Sequence, residues 1–118
     1  MHPELQLHRC KQTVLDLAET MAPKNPAVQY RVAGETLYAN LRAELYNKRR
    51  GGFISDHDVL IGGKIAYVLC GGKVPADTLV SEQHLLDLER ECFISLCGEA
   101  KTRERIDYML KNRKPLRN

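Results

Sequence analysis

His57 stands between two carboxylates in the run Ser55-Asp56-His57-Asp58. An aspartate beside a histidine is the pairing that orients a general base. On a helix, however, neighbouring residues point in different directions. The same four residues also read as a helix start, with Ser55 capping and Asp58 three positions on completing a capping box. On that reading the two aspartates sit at the positive end of the helix dipole and His57 is a surface residue. His84, near the start of another helical stretch, reads the same way. His2 and His8 lie six apart, not at the i, i+4 spacing of a helical metal site.

The other chemistry-bearing residues are equally quiet. Glycine pairs occur at 51–52, 62–63 and 71–72. Gly62-Gly63-Lys64 resembles a piece of a phosphate loop, but no strand and loop precede it and no full phosphate-binding pattern is present. The glycines act better as helix punctuation. Ser55 and Ser95 lack the strand–turn–helix setting of a nucleophile elbow. Cys10, Cys70, Cys92 and Cys97 have no C-x2-C spacing and no basic neighbour in sequence. Cys70 and Cys92 fall on core faces. Reduced, buried thiols in a cytoplasmic protein are the expectation, supported by a start, MHPELQLHRC, without the pattern of a secretory leader. Glu89 and Glu91, two apart, point to different sides of a helix. The sequence therefore assigns no catalytic, no cofactor-binding and no metal-binding residue.

Two basic patches remain, Lys48-Arg49-Arg50 and Lys111-Asn112-Arg113-Lys114. Either suits a phosphate, but helix ends also collect cations against the negative pole of the dipole. Residues 101–118 hold seven Lys/Arg against two Asp/Glu, within a total net charge of only +3. With no Trp, five Tyr and two Phe, the chain has little material for stacking on bases. The best recognition-helix candidate, 82–97, is acidic on its outer face (Glu82, Asp87, Glu89 and Glu91, with Arg90 the one cation). These features argue against nucleic acid as a partner.

The elements that would position these residues are helices. Across 118 residues, 43% hydrophobic and 28% charged, one soluble domain is expected, with no membrane span. Apolar residues at Leu7, Cys10, Val14, Leu17, Ala18 and Met21 mark one face of a helix over 4–21, with Pro3 in its first turn. The run APKNP at 22–26 ends it. A second helix is predicted over 27–49, with Ala33, Leu37, Leu41 and Leu45 on one stripe and Tyr30, Tyr38 and Tyr46 beside it. Gly51-Gly52 closes it. A third, over 56–70, is apolar nearly all round and should be the most buried. Its Gly62-Gly63 pair costs helix propensity and invites close approach of a neighbour. Residues 73–80 read as a loop. Ser81 caps a fourth helix, 82–97, with a seam of Leu85, Leu88, Cys92, Phe93 and Leu96. Gly98 stops it. Thr102 caps a fifth, 103–112, with Ile106, Met109 and Leu110 facing inward. The expected fold is all-α: about five helices in an irregular bundle, 1–118 forming one module of a two-helix part, 1–50, and a three-helix part, 51–118.

Several stretches together resemble a known family. They are Ser55-Asp56-His57-Asp58 through Gly71-Gly72, Val80-Ser81-Glu82-Gln83, Leu85-Leu86-Asp87-Leu88-Glu89-Arg90-Glu91, Ser95-Leu96-Cys97-Gly98-Glu99 and Lys114-Pro115-Leu116-Arg117-Asn118. In order and spacing they resemble the C-terminal end of bacterial 3-hydroxyacyl-CoA dehydrogenase/enoyl-CoA hydratase fusion proteins of fatty-acid β-oxidation. The resemblance is close over 51–118 and weaker over 5–50, which is similar to the helical stretch after that family's crotonase-like core. Gly62-Gly63 departs from the family's pattern, as does Arg113, where a glycine is common. The resemblance implies a fragment, or a separately encoded piece, of a much longer enzyme. That family uses NAD and acyl-CoA substrates, but its dinucleotide-binding glycines and catalytic residues belong to upstream parts and have no counterpart here. The piece itself is then expected to bind no cofactor and to be inactive, with a packing or oligomerisation role. Its partners would be the upstream domains of the same polypeptide and further copies of itself, with some basic residues near the coenzyme A entrance. The alternative is a free-standing helical module that binds protein or nucleic acid.

Overall fold

The computed structural model describes residues 3–22 and 28–118. Five helices and two short strands follow in the order α1 (Pro3–Thr20), β1 (Gln29–Val32), α2 (Gly34–Arg50), α3 (Asp56–Leu69), β2 (Thr78–Ser81), α4 (Glu82–Cys97) and α5 (Ala100–Asn112). The fold is mostly α, as the helical periodicities predict. The proline-rich break expected at 22–26 lies outside the described residues apart from Ala22, as does His2.

The strands correct the sequence reading. Gln29–Val32 was expected to be helical and 73–80 to be loop, yet β1 and β2 pair antiparallel, with Tyr30 opposite Val80 and Val32 opposite Thr78. Tyr30 therefore leaves the tyrosine stripe that Tyr38 and Tyr46 keep. Four residues are too few to separate an alternating pattern from a helical one. The deciding influence is tertiary. Val32 and Val80 are both buried, and Val32 lies against Gly71, where a Cβ would meet its Cγ2 at 2.5 Å. A two-stranded ribbon is marginal alone, so this contact beneath it matters.

Gly34 explains why α2 starts late. Its φ of +65° is left-handed, and a Cβ there would meet the Val74 carbonyl oxygen at 2.4 Å. Only glycine turns the chain out of β1 at that point while touching the 74–75 backbone. The junction is sealed by Gly34 N–H donating to the Cys70 carbonyl (3.1 Å), Glu35 N–H to Val74 (2.9 Å) and Asp77 N–H to Val32 (2.9 Å).

α3 is the centre of the fold and packs against both α2 and α4. Its start carries the expected capping box: Asp58 N–H donates to Ser55 Oγ at 3.2 Å, and Ser55 N–H to Asp58 Oδ2 at 2.9 Å. As expected it is the helix with fewest exposed residues, namely Asp56, Leu60, Ile65 and Leu69. The two glycines within it do different things. A Cβ on Gly62 would lie 2.8 Å from Leu45 Cδ2, so this glycine lets α2 approach. A Cβ on Gly63 would meet nothing within 4 Å. Each costs about 1 kcal/mol of helix propensity relative to alanine, and only Gly62 repays it with a contact inside the chain. α4 is capped by Ser81 Oγ, which accepts from His84 N–H at 3.1 Å.

α5 departs from its expected orientation. It begins at Ala100, so Thr102 is not its cap but a buried residue of its first turn. Ile106, Met109 and Leu110, expected to face inward, are 42%, 54% and 77% exposed. Phe93, placed on the seam of α4, is also exposed, whereas Leu85, Leu88 and Leu96 are half-buried and Cys92 is buried. α5 docks through polar side chains instead, which the apolar periodicity does not report.

The buried apolar set among the described residues is small: Val32, Ala66, Cys70, Val80 and Cys92. All described side chains of α1 are exposed, including Leu7, Val14 and Leu17 of its apolar stripe, and so is Met21 just beyond it. The radius of gyration is 19.6 Å, against about 13.5 Å for a compact domain of this length. Much apolar surface is left uncovered.

Candidate functional site

Two sites emerge at opposite faces of α3. The first is a polar clamp that joins the start of α3 to α5 and the end of the chain. Arg105 Nη1 donates to Asp58 Oδ1 at 2.7 Å, its Nε to Asn118 Oδ1 at 2.8 Å, and its Nη2 to the Asn118 carbonyl at 3.3 Å. Asn118 Nδ2 in turn donates to Glu104 Oε2 at 2.9 Å. The Ser55 amide and then the Arg105 guanidinium hold the Asp58 carboxyl down at about 2. Asp58 is thus an anion committed on both oxygens, with no role as a proton carrier near neutrality.

Beside the clamp lies His57. The sequence reading made it a surface residue; the structure buries it at 4% exposure, with Nε2 2.9 Å from Thr102 Oγ1. Its ring faces the first turn of α5, away from the carboxylates next to it in sequence. Asp56 points outward and pairs with Arg49, which lowers the Asp56 carboxyl and raises the Arg49 guanidinium. No acid–base pair forms. His84 is also drawn inward, its Nε2 3.0 Å from the Gly71 carbonyl. Both histidines join elements distant in sequence. No sequence signal marks them, because their partners lie 45 and 13 residues away.

The remaining sequence candidates stay apart. Gly62-Gly63-Lys64 is interior to α3, so its amides are held in the helix and cradle no phosphate. Glu89 and Glu91 are exposed. Among the described residues no group of three or more His, Cys, Asp or Glu could hold a metal ion. The four cysteines are free. Cys70 and Cys92 are buried as expected, and burial pushes the Cys70 thiol up, away from reactivity. Cys10, by contrast, is exposed on α1. Of the first basic patch, Lys48 reaches Glu44 and Arg49 reaches Asp56. Of the second, Lys111 reaches Asp107, and Arg113 closes α5 in a left-handed conformation, φ 53°. Glycine is the residue favoured in that conformation, so Arg113 holds it at some backbone cost. No described helix is long and apolar enough to cross a membrane.

The second site is an open groove of about 740 Å³ between α2, α3 and α4. Tyr38, Tyr46, Tyr67, Leu45 and Leu60 supply its apolar walls, Gly63 opens it, and Arg42 and Lys64 stand in it as cations. Tyr38 and Tyr67 meet edge to face at 5.6 Å, and the Arg42 guanidinium lies 5.9 Å from the centre of the Tyr38 ring. Asp56, Glu91 and the buried Cys92 also line it, so carboxylates as well as cations face it.

Comparison with known proteins gives a sharper result than the geometry. No family model matches the chain, and no solved structure matches it. It is 45% identical over 112 residues to a Bacillus subtilis (strain 168) protein named probable 3-hydroxyacyl-CoA dehydrogenase. The alignment takes in 95% of this chain but only 14% of that protein. The chain is therefore similar, almost end to end, to one region of a much longer dehydrogenase.

Proposed function

We propose that this chain is the helical C-terminal region of a 3-hydroxyacyl-CoA dehydrogenase of fatty-acid β-oxidation, of the kind fused to an enoyl-CoA hydratase. Its role is to pack and assemble that enzyme, and the chemistry belongs to the rest of the polypeptide. The observation that carries this reading is the coverage of the match: nearly all of this chain aligns, with 14% of a dehydrogenase. Two features of the molecule support a packing role. Asp58 and His57, the acid–base candidates of the sequence, are tied up in the α3 cap, the Arg105 clamp and the bond to Thr102. A large share of the apolar surface, above all on α1, is left bare, and monomeric soluble proteins rarely leave large contiguous apolar patches exposed. The partners are then the upstream domains and further copies of the chain, in the cytoplasm. NAD and acyl-CoA bind elsewhere in the enzyme.

The test is an assay of the purified chain for NAD-dependent oxidation of 3-hydroxyacyl-CoA and for hydration of enoyl-CoA. No turnover above the uncatalysed rate is expected. Turnover by the isolated chain would overturn the packing role.

A further inference from the structure

We infer that the tail, residues 114–118, is a latch that locks α5 onto α3, and that on its release the C-terminal half of α5 opens while the rest of the fold stays closed. The inference is independent of the enzyme class and of the assembly role proposed above. Apolar packing does little to hold α5. Its one buried residue is Thr102, and Ile106, Met109 and Leu110 are exposed. What ties it to α3 is polar and directional: Thr102 Oγ1 against His57 Nε2, and Arg105 Nη1 on Asp58 Oδ1. Elements with few buried apolar contacts are the ones that open locally. The tail acts on the second of these ties. Arg113 turns the chain at the end of α5 with a φ of 53°, and the tail runs back along the helix it has just left. Asn118 Nδ2 donates to the Lys101 carbonyl at 3.3 Å and to Glu104 Oε2 at 2.9 Å, while its Oδ1 accepts from Arg105 Nε at 2.8 Å. These partners lie about 12–18 Å back from Arg113, at about 1.5 Å of helix per residue. A tail of this length covers about 17 Å when extended, so it makes the span with little slack. Its burial alternates as an extended segment requires: Leu116 and Asn118 are half-buried, Pro115 and Arg117 exposed. Leu116 lies along the same cleft as Phe53 and Ile54, ahead of α3. Asn118 suits its post, because an amide offers an acceptor to the Arg105 cation and donors to the Glu104 anion and a helix carbonyl at once. The guanidinium is thereby held from two sides, by Asp58 and by Asn118. The other end of α5 is fixed separately, by Arg103 Nη1 donating to the Cys97 and Gly98 carbonyls at 2.9 and 2.7 Å. Release of the tail therefore frees the C-terminal half of α5, and the α4–α5 corner stays.

The test is amide hydrogen exchange, resolved along the chain by mass spectrometry, on the wild-type chain and on Asn118→Ala, Leu116→Ser and Arg117→Ala. The first two remove the half-buried side chains of the tail and are expected to speed exchange over residues 105–112 at least tenfold. Exchange over α3 and α4 is expected to keep its wild-type rate, which also shows that each variant is folded. Arg117→Ala changes an exposed side chain of the same tail and is expected to match wild type throughout. Unchanged exchange over 105–112 in both Asn118→Ala and Leu116→Ser overturns the latch. So does an equal acceleration in α3, which would mean that the tail holds the whole fold and not α5. An Arg117→Ala variant that exchanges as fast as Asn118→Ala overturns it as well, because the effect would then not depend on the side chains that dock. None of these outcomes bears on the activity assay above, so the two readings fail separately.

Discussion

The two ends of this chain are handled in opposite ways. At the C-terminal end, Asn118 is held by Arg105, Glu104 and the Lys101 carbonyl, and Arg105 also reaches Asp58. At the N-terminal end, α1 is as long as any helix in the molecule and buries no described side chain. One end is closed by directional polar bonds within the chain; the other presents apolar surface that nothing in the described chain covers. The difference separates what the chain does for itself from what it offers to something else. Packing around α3 makes a unit of α2, α3, α4, α5 and the ribbon, and the uncovered surface is where the proposed function places assembly.

Breaking the closed region should have the largest effects. Gly34→Ala forces a side chain into a left-handed position against the Val74 and Pro75 backbone. A loss of about 3 kcal/mol or more is expected, seen as a lower urea midpoint. Arg105→Ala strips Asp58 and Asn118 of their shared partner, in a site whose side chains are only 19% and 32% exposed. A loss of about 2–3 kcal/mol is expected by the same measurement; a change below about 0.5 kcal/mol would show the clamp to be ornamental.

A middle-sized effect comes from acid. Asp58 titrates at about 2 in the folded chain, below its value of about 3.9 when unfolded. Its contribution is complete above pH 4 and is lost as the pH falls from there through about 2. After allowance for screening it amounts to roughly 1–2 kcal/mol. Stability measured from pH 5 to pH 2 should therefore fall less steeply in Arg105→Ala, where the depression is smaller.

The smallest effect sharpens the comparison within α3. Gly63→Ala should raise stability by up to about 1 kcal/mol, since it restores helix propensity in open space. Gly62→Ala gains the same propensity but presses a Cβ against Leu45, so it should be neutral or destabilising. Equal gains at both positions, read from thermal melts, would remove the distinction between an internal and an external glycine.

The sequence carried the helices well and their docking poorly. Ser55-x-x-Asp58 and Ser81 mark their helix starts because capping is local, and Gly71-Gly72 stops α3 for the same reason. β1 and β2 were not legible, since four-residue strands 46 residues apart carry no local signal of pairing. His57 was misread for a related reason. Its sequence neighbours Asp56 and Asp58 suggest an exposed turn, whereas its burial is decided by Thr102 on a distant helix. α5 was turned the wrong way because Arg105 and Thr102, not its apolar residues, face the rest of the chain. The likeness to a dehydrogenase region was legible; the bare apolar surface of α1 required the fold.

The most direct measurement is reconstitution in trans. The longer Bacillus subtilis relative would be expressed without the region that matches this chain, and the chain then added back. The account predicts that the shortened enzyme loses 3-hydroxyacyl-CoA dehydrogenase activity or its native assembly, that the chain alone has no activity, and that mixing restores both. A shortened enzyme with full activity and unchanged size, or turnover by the chain alone, would contradict it.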